Sequence, residues 1–113
     1  MNWISLSTTS AFKGIQSAQG FCVIFKHSTR CSVSSMAKRS FEYSWNELAN
    51  NTIDVPCYYL DLIAHRELSN LVAETYQVEH QSPQILLIRD NICVLDRSHE
   101  AISAEEILDL IKK

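Results

Sequence analysis

The sequence predicts one α/β domain spanning residues 1–113, with a mixed β-sheet covered by helices on both faces. Apolar segments of strand length alternate with amphipathic segments of helix length, a pattern that implies right-handed crossovers between parallel strands. Two strand segments are apolar throughout, as strands buried on both faces are. The last two strands are joined by a short turn, which predicts an antiparallel hairpin. The predicted element order is β-α-β-α-β-α-β-β-α.

Local patterns predict the first three elements. Trp3 to Leu6 has the character of a short strand. Ser7 to Ser10 offer N-caps for a helix that should end near Gly20, because glycine suits the position just after a helix. Phe21 to Phe25 is continuously apolar, which predicts a buried strand.

The middle of the chain has two helical patterns on either side of a strand pattern. Residues 32 to 50 repeat apolar side chains at spacings of three and four, which predicts a helix. The capping-box pattern Ser44-Trp45-Asn46-Glu47 lies inside this stretch, so we expect a bend or a second helix start there. Val55 to Ile63 predicts a strand, and His65 to Tyr76 predicts a clean amphipathic helix.

The end of the chain predicts a hairpin followed by a helix. Gln84 to Ile88 and Ile92 to Leu95 are short apolar runs separated by Arg89-Asp90-Asn91, a spacing and a residue pair typical of a β-hairpin. Ser103-Ala104-Glu105-Glu106 is a second capping box, which should open the last helix.

Composition excludes several classes of protein. Hydrophobic residues make up 46% of the chain and charged residues 20%, so the chain can bury a core without disulfides or metals. A net charge of -3 argues against nucleic-acid binding, which needs excess Lys and Arg. No basic segment with a long apolar stretch begins the chain, and no apolar run approaches the about 20 residues of a membrane span. We therefore expect a cytoplasmic monomer with neither nucleic acid nor membrane as partner.

Four cysteines occur, Cys22, Cys31, Cys57 and Cys93, and none forms a Cys-x-x-Cys pair. In a reducing cytosol the expected state is four free thiols. We expect Cys22 and Cys93 to be core thiols and Cys57 to be buried or partly exposed. A distal resolving role for one of the three is the less favoured alternative, because a disulfide needs Cα atoms within about 7 Å. The histidines have no metal-ligand spacing, so we expect neither a metal nor a bound cofactor.

Cys31 is the candidate nucleophile because of its position. It follows the buried strand after the polar turn His27-Ser28-Thr29-Arg30 and stands at or just before the next helix. Sites in α/β sheets form at the carboxyl ends of strands, and a helix N-terminus favours the reactive thiolate. Residues 26 to 39 contain four cations and no acid, which suits an anionic thiol substrate.

Ser34 occupies the position where a dithiol enzyme would have its second cysteine. A mixed disulfide on Cys31 must then be resolved by an outside thiol. Ser34 could also donate a hydrogen bond to the Cys31 sulfur and support the thiolate. His27 either tunes Cys31 or is a structural histidine, and Asp61 is either a proton relay or a helix cap.

These features resemble the thioredoxin-like fold, in which a reactive cysteine begins the helix after the second strand. More closely, Phe25 to Ser34 resembles the signature of the monothiol bacilliredoxins, the YtxJ-type proteins of the bacillithiol system. The resemblance covers nearly the whole chain and includes Tyr59 to Ile63, His65 to Asn70, Ser82-Pro83-Gln84, and Ser98-His99 with Ile102. The family commonly has proline after the reactive cysteine, whereas this chain has Ser32.

The resemblance implies a monothiol thiol-disulfide oxidoreductase that removes bacillithiol or a similar small thiol from S-thiolated client proteins. Cys31 would be the nucleophile and the small thiol a co-substrate. Pro83 would be cis and lie against Cys31, and the Ser82 backbone would pair with the substrate backbone. The substrate-binding residues would be Thr29, Arg30, Ser34, Ser82 and Pro83.

One alternative belongs to a different class of function. The chain could be a non-catalytic thioredoxin-like binding module that holds a partner around Pro83, with Cys31 as a regulatory thiol. The missing second cysteine and the missing proline at position 32 favour this alternative. An iron–sulfur cluster shared by two Cys31 thiolates, as in some monothiol glutaredoxins, is a subsidiary possibility, although the usual Gly-Phe between Cys and Ser is absent.

Overall fold

A computed structural model describes residues 1–50 and 52–113. The strands and helices follow the predicted order, with one additional 3₁₀ turn at His99–Ala101. The elements are β1 (Trp3–Ser5), α1 (Thr9–Ser17), β2 (Phe21–His27), α2 (Ser32–Ala49), β3 (Cys57–Asp61), α3 (Arg66–Tyr76), β4 (Gln84–Arg89), β5 (Ile92–Ser98) and α4 (Ala104–Lys112).

The strands form one mixed sheet in the order β1-β3-β2-β4-β5. Strands β1, β3 and β2 are parallel, and β4 runs antiparallel to both β2 and β5. Phe25 of the central strand pairs with Tyr59 on one side and with Ile85 on the other. The carboxyl ends of β2 and β3 therefore meet at one edge of the sheet, together with the start of β4.

Helices cover both faces of the sheet, as predicted. Helices α2 and α4 pack on one face, where Phe25, Phe41 and Ile107 are buried, and α1 and α3 pack on the other, where Phe12 and Val72 are buried. Successive β2 residues alternate between the two cores because strand side chains alternate faces. The apolar run of β2 is explained by this double coverage.

Two helix boundaries differ from the predictions. Helix α2 continues without a break through Ser44, because Phe41 and Trp45 are buried on one continuous face and hold the helix to the sheet. Helix α1 ends at Ser17 with Ala18 as its C-cap, and Gly20 instead makes the turn into β2 at a φ of +86°. The left-handed conformation at this turn is one that glycine adopts without a steric penalty.

Strand boundaries also shift. Strand β2 continues past Phe25 and includes Lys26 and His27, which were predicted to lie outside the strand. Strand β3 is shorter than predicted, spanning Cys57–Asp61, because the chain turns after Asp61 towards α3. The hairpin is longer, and Asp90 and Asn91 form its two-residue turn at φ of 50° and 64°. Positive φ at both turn positions is what a tight hairpin requires.

No helix in the described ranges is long and apolar enough to span a membrane.

Candidate active site

Cys31 lies at the N-terminus of α2, as predicted. It is the N-cap residue, with extended backbone angles (φ −109°, ψ 118°), and its side chain is half-buried. Its N–H donates to the Ser28 carbonyl at 3.1 Å, and its own carbonyl accepts from Ser35 N–H at 3.1 Å. The Cys31 side chain makes no capping hydrogen bond, so the first backbone N–H groups of α2 are left without a capping partner from this residue.

The structure directs Ser34 away from the role predicted for it. Ser34 is fully buried, and its Oγ lies 2.6 Å from His27 Nδ1. The same oxygen accepts a hydrogen bond from the Ser28 N–H at 3.2 Å. The hydroxyl therefore joins the end of β2 to the first turn of α2, and its hydrogen bonds go to these groups rather than to the Cys31 sulfur.

His27 is a buried residue of β2, not part of an exposed turn. Its side chain is 5% exposed, and its ring lies 5.5 Å from the Tyr59 ring. Burial, reinforced by the charge of Lys38, lowers the pKa of His27 below its ordinary 6.5, while Asp61 and Glu42 oppose this shift. The imidazole is therefore neutral near pH 7, so its Nδ1 can accept the proton of the Ser34 hydroxyl.

The predicted basic spot is smaller than the sequence implies. Lys26 is fully buried, and Lys38 is paired with Glu42 at 3.2 Å. Arg30 and Arg39 are the two cations of this stretch whose side chains are exposed. An anion near Cys31 would therefore meet Arg30 in the loop rather than a cluster of four cations.

Lys26 extends towards the segment that precedes Pro83. Its Nζ donates to the Ser69 carbonyl at 3.1 Å and lies 3.3 Å from His80 Nδ1. Burial lowers the pKa of Lys26 to about 8. This lysine thus links β2 to the polypeptide on the approach to the candidate site, at the expense of burying a charge.

The Ser82–Pro83 peptide bond is cis. Gln84 pairs with Lys26 in the β2–β4 register, so the buried Pro83 lies at the edge of the sheet that carries the Cys31 loop. The Pro83 carbonyl accepts from His99 N–H at 3.0 Å. Ser82 Oγ is buried and has no hydrogen-bond partner in the described part of the chain.

Thr29 and Arg30 are both exposed in the turn before Cys31. The structure thus brings the predicted residues to one edge of the sheet, with Cys31, Thr29 and Arg30 on the loop and Ser82 and Pro83 on the neighbouring segment. Ser34 lies beneath them in the interior.

A groove of about 460 Å³ extends from this edge between α2 and the start of α4. Val33 and Pro83 line the end nearest Cys31, and Met36 lines the wall of α2. The Val33 and Met36 side chains are 59% and 65% exposed, so both are accessible to a molecule that enters the groove. The groove gives the site an apolar surface beside the thiol.

The other three cysteines lie at the opposite end of the sheet. Cys57 pairs with Val23, and Cys22 pairs with Ile88, which in turn pairs with Cys93. Cys22 is five residues from His27, the last residue of β2, or about 16 Å along the strand. Cys22 and Cys93 are two strands apart, about 10 Å, beyond the about 7 Å that a disulfide tolerates. No described cysteine can therefore act as a resolving partner for Cys31 without rearrangement of the fold.

Burial makes these three thiols poor nucleophiles. It raises the pKa of Cys22 to about 11 and that of Cys57 to about 12. Cys93 was predicted to be a core residue but is half-buried on the edge strand β5, and its pKa is also raised to about 11, by burial and by Asp96. At neutral pH these groups are almost entirely protonated thiols, and the thiolate is the reactive form.

Asp61 acts in the turn between β3 and α3. Its side chain is half-buried, and Oδ1 accepts from Ile63 N–H at 3.0 Å. Of the two predicted roles, this contact favours the structural one, although the carboxylate stabilises a turn rather than capping the helix itself.

Sequence reasoning missed His99 as a neighbour of the site. His99 has a φ of 55°, donates its N–H to Pro83, and places Nε2 3.2 Å from Gln81 Oε1. His99 and Pro83 are sixteen residues apart in the sequence, so no local pattern predicts their contact. In the described part of the chain no three His, Cys, Asp or Glu side chains are grouped as a metal site would require.

Comparison with known proteins places these features in context. A profile of the family described as Monothiol bacilliredoxin BrxC matches residues 4–107. A candidate oxidoreductase with a thioredoxin fold is 27% identical, with a TM-score of 0.81 over 98% of this chain and 94% of that chain. The Malassezia sympodialis thioredoxin is 15% identical, with a TM-score of 0.72 over 99% of this chain and 89% of its own.

A variant thioredoxin from Halobacterium salinarum NRC-1 is 16% identical, with a TM-score of 0.70 over 98% of this chain and 88% of its own. The likeness to these structures shows that the chain has the thioredoxin fold, as the sequence resemblance implies.

Proposed function

The chain belongs to the monothiol bacilliredoxin family, and from this premise we propose that it removes bacillithiol or a similar small thiol from mixed disulfides on client proteins. Cys31 is the nucleophile. The fold and family are those of thiol oxidoreductases. The proposed substrate is a mixed disulfide between a client protein and a small thiol, and Cys31 is the one protein thiol that takes part in the exchange. The small thiol is a co-substrate rather than a bound cofactor.

The reaction consists of two exchange steps. In the first, the Cys31 thiolate attacks the small-thiol sulfur of a client mixed disulfide. A bond forms between Cys31 Sγ and that sulfur, the client's S–S bond breaks, and the client cysteine leaves as a thiolate that takes up a proton. In the second, the thiolate of another small thiol attacks the sulfur attached to Cys31. Cys31 leaves as a thiolate, and the two small thiols depart joined as a disulfide.

The observation that carries the proposal is the isolation of Cys31. It is half-buried at a helix N-terminus, whereas Cys22, Cys57 and Cys93 lie at the far end of the sheet with raised pKa values. A mixed disulfide on Cys31 therefore has no internal thiol to resolve it and persists until an external thiol arrives. This persistence is what a monothiol route requires.

The surroundings of Cys31 support binding of both parts of the substrate. Exposed Arg30 supplies a positive charge for an anionic small thiol. Val33 and Met36 offer apolar area to a client protein on the side towards α4. Ser82, directly before the cis bond, supplies backbone groups for an extended client segment.

Intact-mass spectrometry after mixing with an S-bacillithiolated client protein tests the proposal. We expect one small-thiol adduct on the wild-type chain, loss of the adduct from the client, and removal of the chain's adduct by added bacillithiol. Cys31→Ser should take up no adduct. Cys93→Ser is the matched control, because Cys93 is also half-buried but lies at the other end of the sheet.

The outcomes separate the alternatives. A wild-type chain that forms no adduct with bacillithiolated or glutathionylated client contradicts the exchange proposal. Faster transfer from the bacillithiolated than from the glutathionylated client identifies the small thiol. If the Cys31→Ser chain retains every client interaction and the wild type shows no transfer, the non-catalytic binding module is the better description.

A further inference from the structure

The pair formed by His27 and Ser34 has an unusual place in the molecule. His27 is the last residue of β2 and Ser34 belongs to the first turn of α2, and both side chains are at most 5% exposed. The six residues that connect His27 to Ser34, Ser28 to Val33, lie beyond the end of β2 and include Cys31. The contact at 2.6 Å therefore closes the base of the loop that presents the thiol.

Hydrogen-bond donors and acceptors in this pair are matched when His27 is neutral. With the proton of the neutral ring on Nε2, the Ser34 hydroxyl donates its one proton to His27 Nδ1, and its oxygen accepts the Ser28 N–H at 3.2 Å. The His27 ring is held between Tyr59 at 5.5 Å and Phe25 at 6.4 Å, so it cannot turn freely. One hydroxyl thus anchors a strand end, a helix start and the first amide of the loop.

Two backbone contacts extend this anchor to the thiol and to the next strand. Cys31 N–H donates to the Ser28 carbonyl at 3.1 Å, so the position of Ser28 sets that of Cys31. Leu62 N–H donates to the His27 carbonyl at 3.0 Å, which ties the same strand end to the turn after β3.

We propose that His27 is a positioning residue for the exchange reaction, acting through Ser34 to fix the turn from Ser28 to Cys31 and so the place of the Cys31 sulfur. The inference rests on the proposed function for its chemistry, because it assigns His27 no contact with substrate. It explains why the serine at the position of a second thiol is buried and turned inward.

Acid should disturb this arrangement. A protonated His27 has a proton on Nδ1 and becomes a donor to Ser34 Oγ, which already accepts from Ser28. The Ser34 hydroxyl proton then needs a new acceptor, and the described contacts offer none. The charged and titratable groups that face His27 are Lys38 and Glu42 from α2 and Asp61 and Tyr59 from β3.

The test compares three variants in the transfer of a small thiol from a disulfide to Cys31. Ser34→Ala and His27→Phe should lower the rate constant about 10- to 100-fold, the range expected when a reacting atom is misplaced by about 1 Å. His27→Asn keeps an acceptor for Ser34, because Asn Oδ1 is bonded to Cγ as His Nδ1 is, and it has no titrating ring. This variant should remain within about threefold of wild type at pH 7.5. Ser35→Ala, one residue further along α2, is the matched control and should leave the rate unchanged.

The pH dependence distinguishes positioning from a general loss of structure. The ratio of the wild-type rate to the His27→Asn rate should be constant near pH 7.5 and above and should fall in acid, since only the wild type has a titrating group at this site. Dividing the two rates removes the pH effects that both measurements share, such as those of the small-thiol reagent.

Amide hydrogen exchange supplies a readout that does not depend on any substrate. The Ser28 amide should lose protection in Ser34→Ala and keep it in His27→Asn. If the wild type transfers thiols but Ser34→Ala matches its rate, the positioning inference is wrong while the proposed function stands. If the wild type transfers no thiol, yet Ser28 loses protection in Ser34→Ala, the proposed function is wrong and the anchor itself remains.

Discussion

Strand β2 has a cysteine near each of its ends, and the two are chemically different. Cys22 is the second residue of the strand, buried between the sheet and α1, and burial raises its pKa to about 11. Cys31 follows the other end by four residues, half-buried at the N-terminus of α2. The same residue type is thus inert in one place and accessible in the other, because the fold sets solvent access and the neighbouring dipoles.

The two ends of β2 also differ in what they bury. The end far from Cys31 contains Phe21, Cys22 and Val23, whereas the end near Cys31 buries Lys26 and His27. Burial lowers the pKa of both Lys26 and His27, so each costs the fold free energy in its charged form. Burying these two groups in their charged form lowers the free energy of unfolding at the end of β2 next to the candidate site. The other end of the strand buries no such group.

Thiol labelling should show the largest difference between the two ends. At pH 8 we expect iodoacetamide to modify Cys31 roughly a hundredfold or more faster than Cys22, Cys57 or Cys93, since a thiol with a pKa of about 11 is ionised there in only about one molecule in a thousand. Peptide mass spectrometry over time measures the four rates. In denaturant the rates should converge, and equal labelling of Cys93 and Cys31 in the native protein would contradict the comparison.

A second thiol beside Cys31 should change the mechanism. Ser34→Cys places a thiol one helical turn from Cys31, within disulfide range, and next to His27 Nδ1 as a base. We expect an internal disulfide and at least about tenfold less small-thiol adduct at equilibrium. Intact mass and free-thiol titration measure both. Ser44→Cys, on the same helix but far from the loop, is the control, and an undiminished adduct in Ser34→Cys would show that the two positions cannot meet.

Replacing the buried lysine should stabilise the near end. Lys26→Met removes a charge whose folded-state pKa is about 8 against an unfolded value of 10.5. We expect the free energy of unfolding at pH 7 to rise by about 1–2 kcal/mol, after allowing for the lost hydrogen bonds to Ser69 and His80.

The sign of its pH dependence follows from the lowered pKa. Wild-type stability should rise between pH 8 and 10.5 as the unfolded chain retains the proton that folded Lys26 has lost, so the advantage of Lys26→Met should shrink over that range. Urea unfolding at pH 7 and pH 10 measures both values. A variant less stable than wild type at both pH values would show that the hydrogen bonds outweigh the buried charge.

The smallest effect belongs to the far end. Gly20→Ala forces a side chain into a φ of +86°, although its Cβ would meet no atom within 4 Å. We expect a loss of about 1 kcal/mol in the free energy of unfolding with no change in thiol exchange. Thermal unfolding and the exchange assay measure the two. A fall in exchange rate would show that the two ends are coupled, contrary to the comparison.

Residue patterns were enough to predict the alternation of elements, the hairpin and the start of α2 at Cys31, because each depends on neighbours within a few positions. Two predictions failed because distant packing overrides local signals. The capping box at Ser44 stays inside a straight helix, since buried Phe41 and Trp45 hold both halves of α2 to the sheet. Lys26 was predicted to belong to a basic spot at the site, but strand alternation turns it under α3.

Near Cys31 the same division holds. The sequence alone indicates that Cys31 begins a helix and that no second thiol follows three residues later. Both features depend only on residues that are close together in the chain. Strand pairing and helix packing decide three other features of the site. Ser34 turns inward to His27, His99 contacts Pro83, and the other three cysteines lie at the far end of the sheet. Those contacts join residues remote in the chain, so only the folded arrangement could specify them.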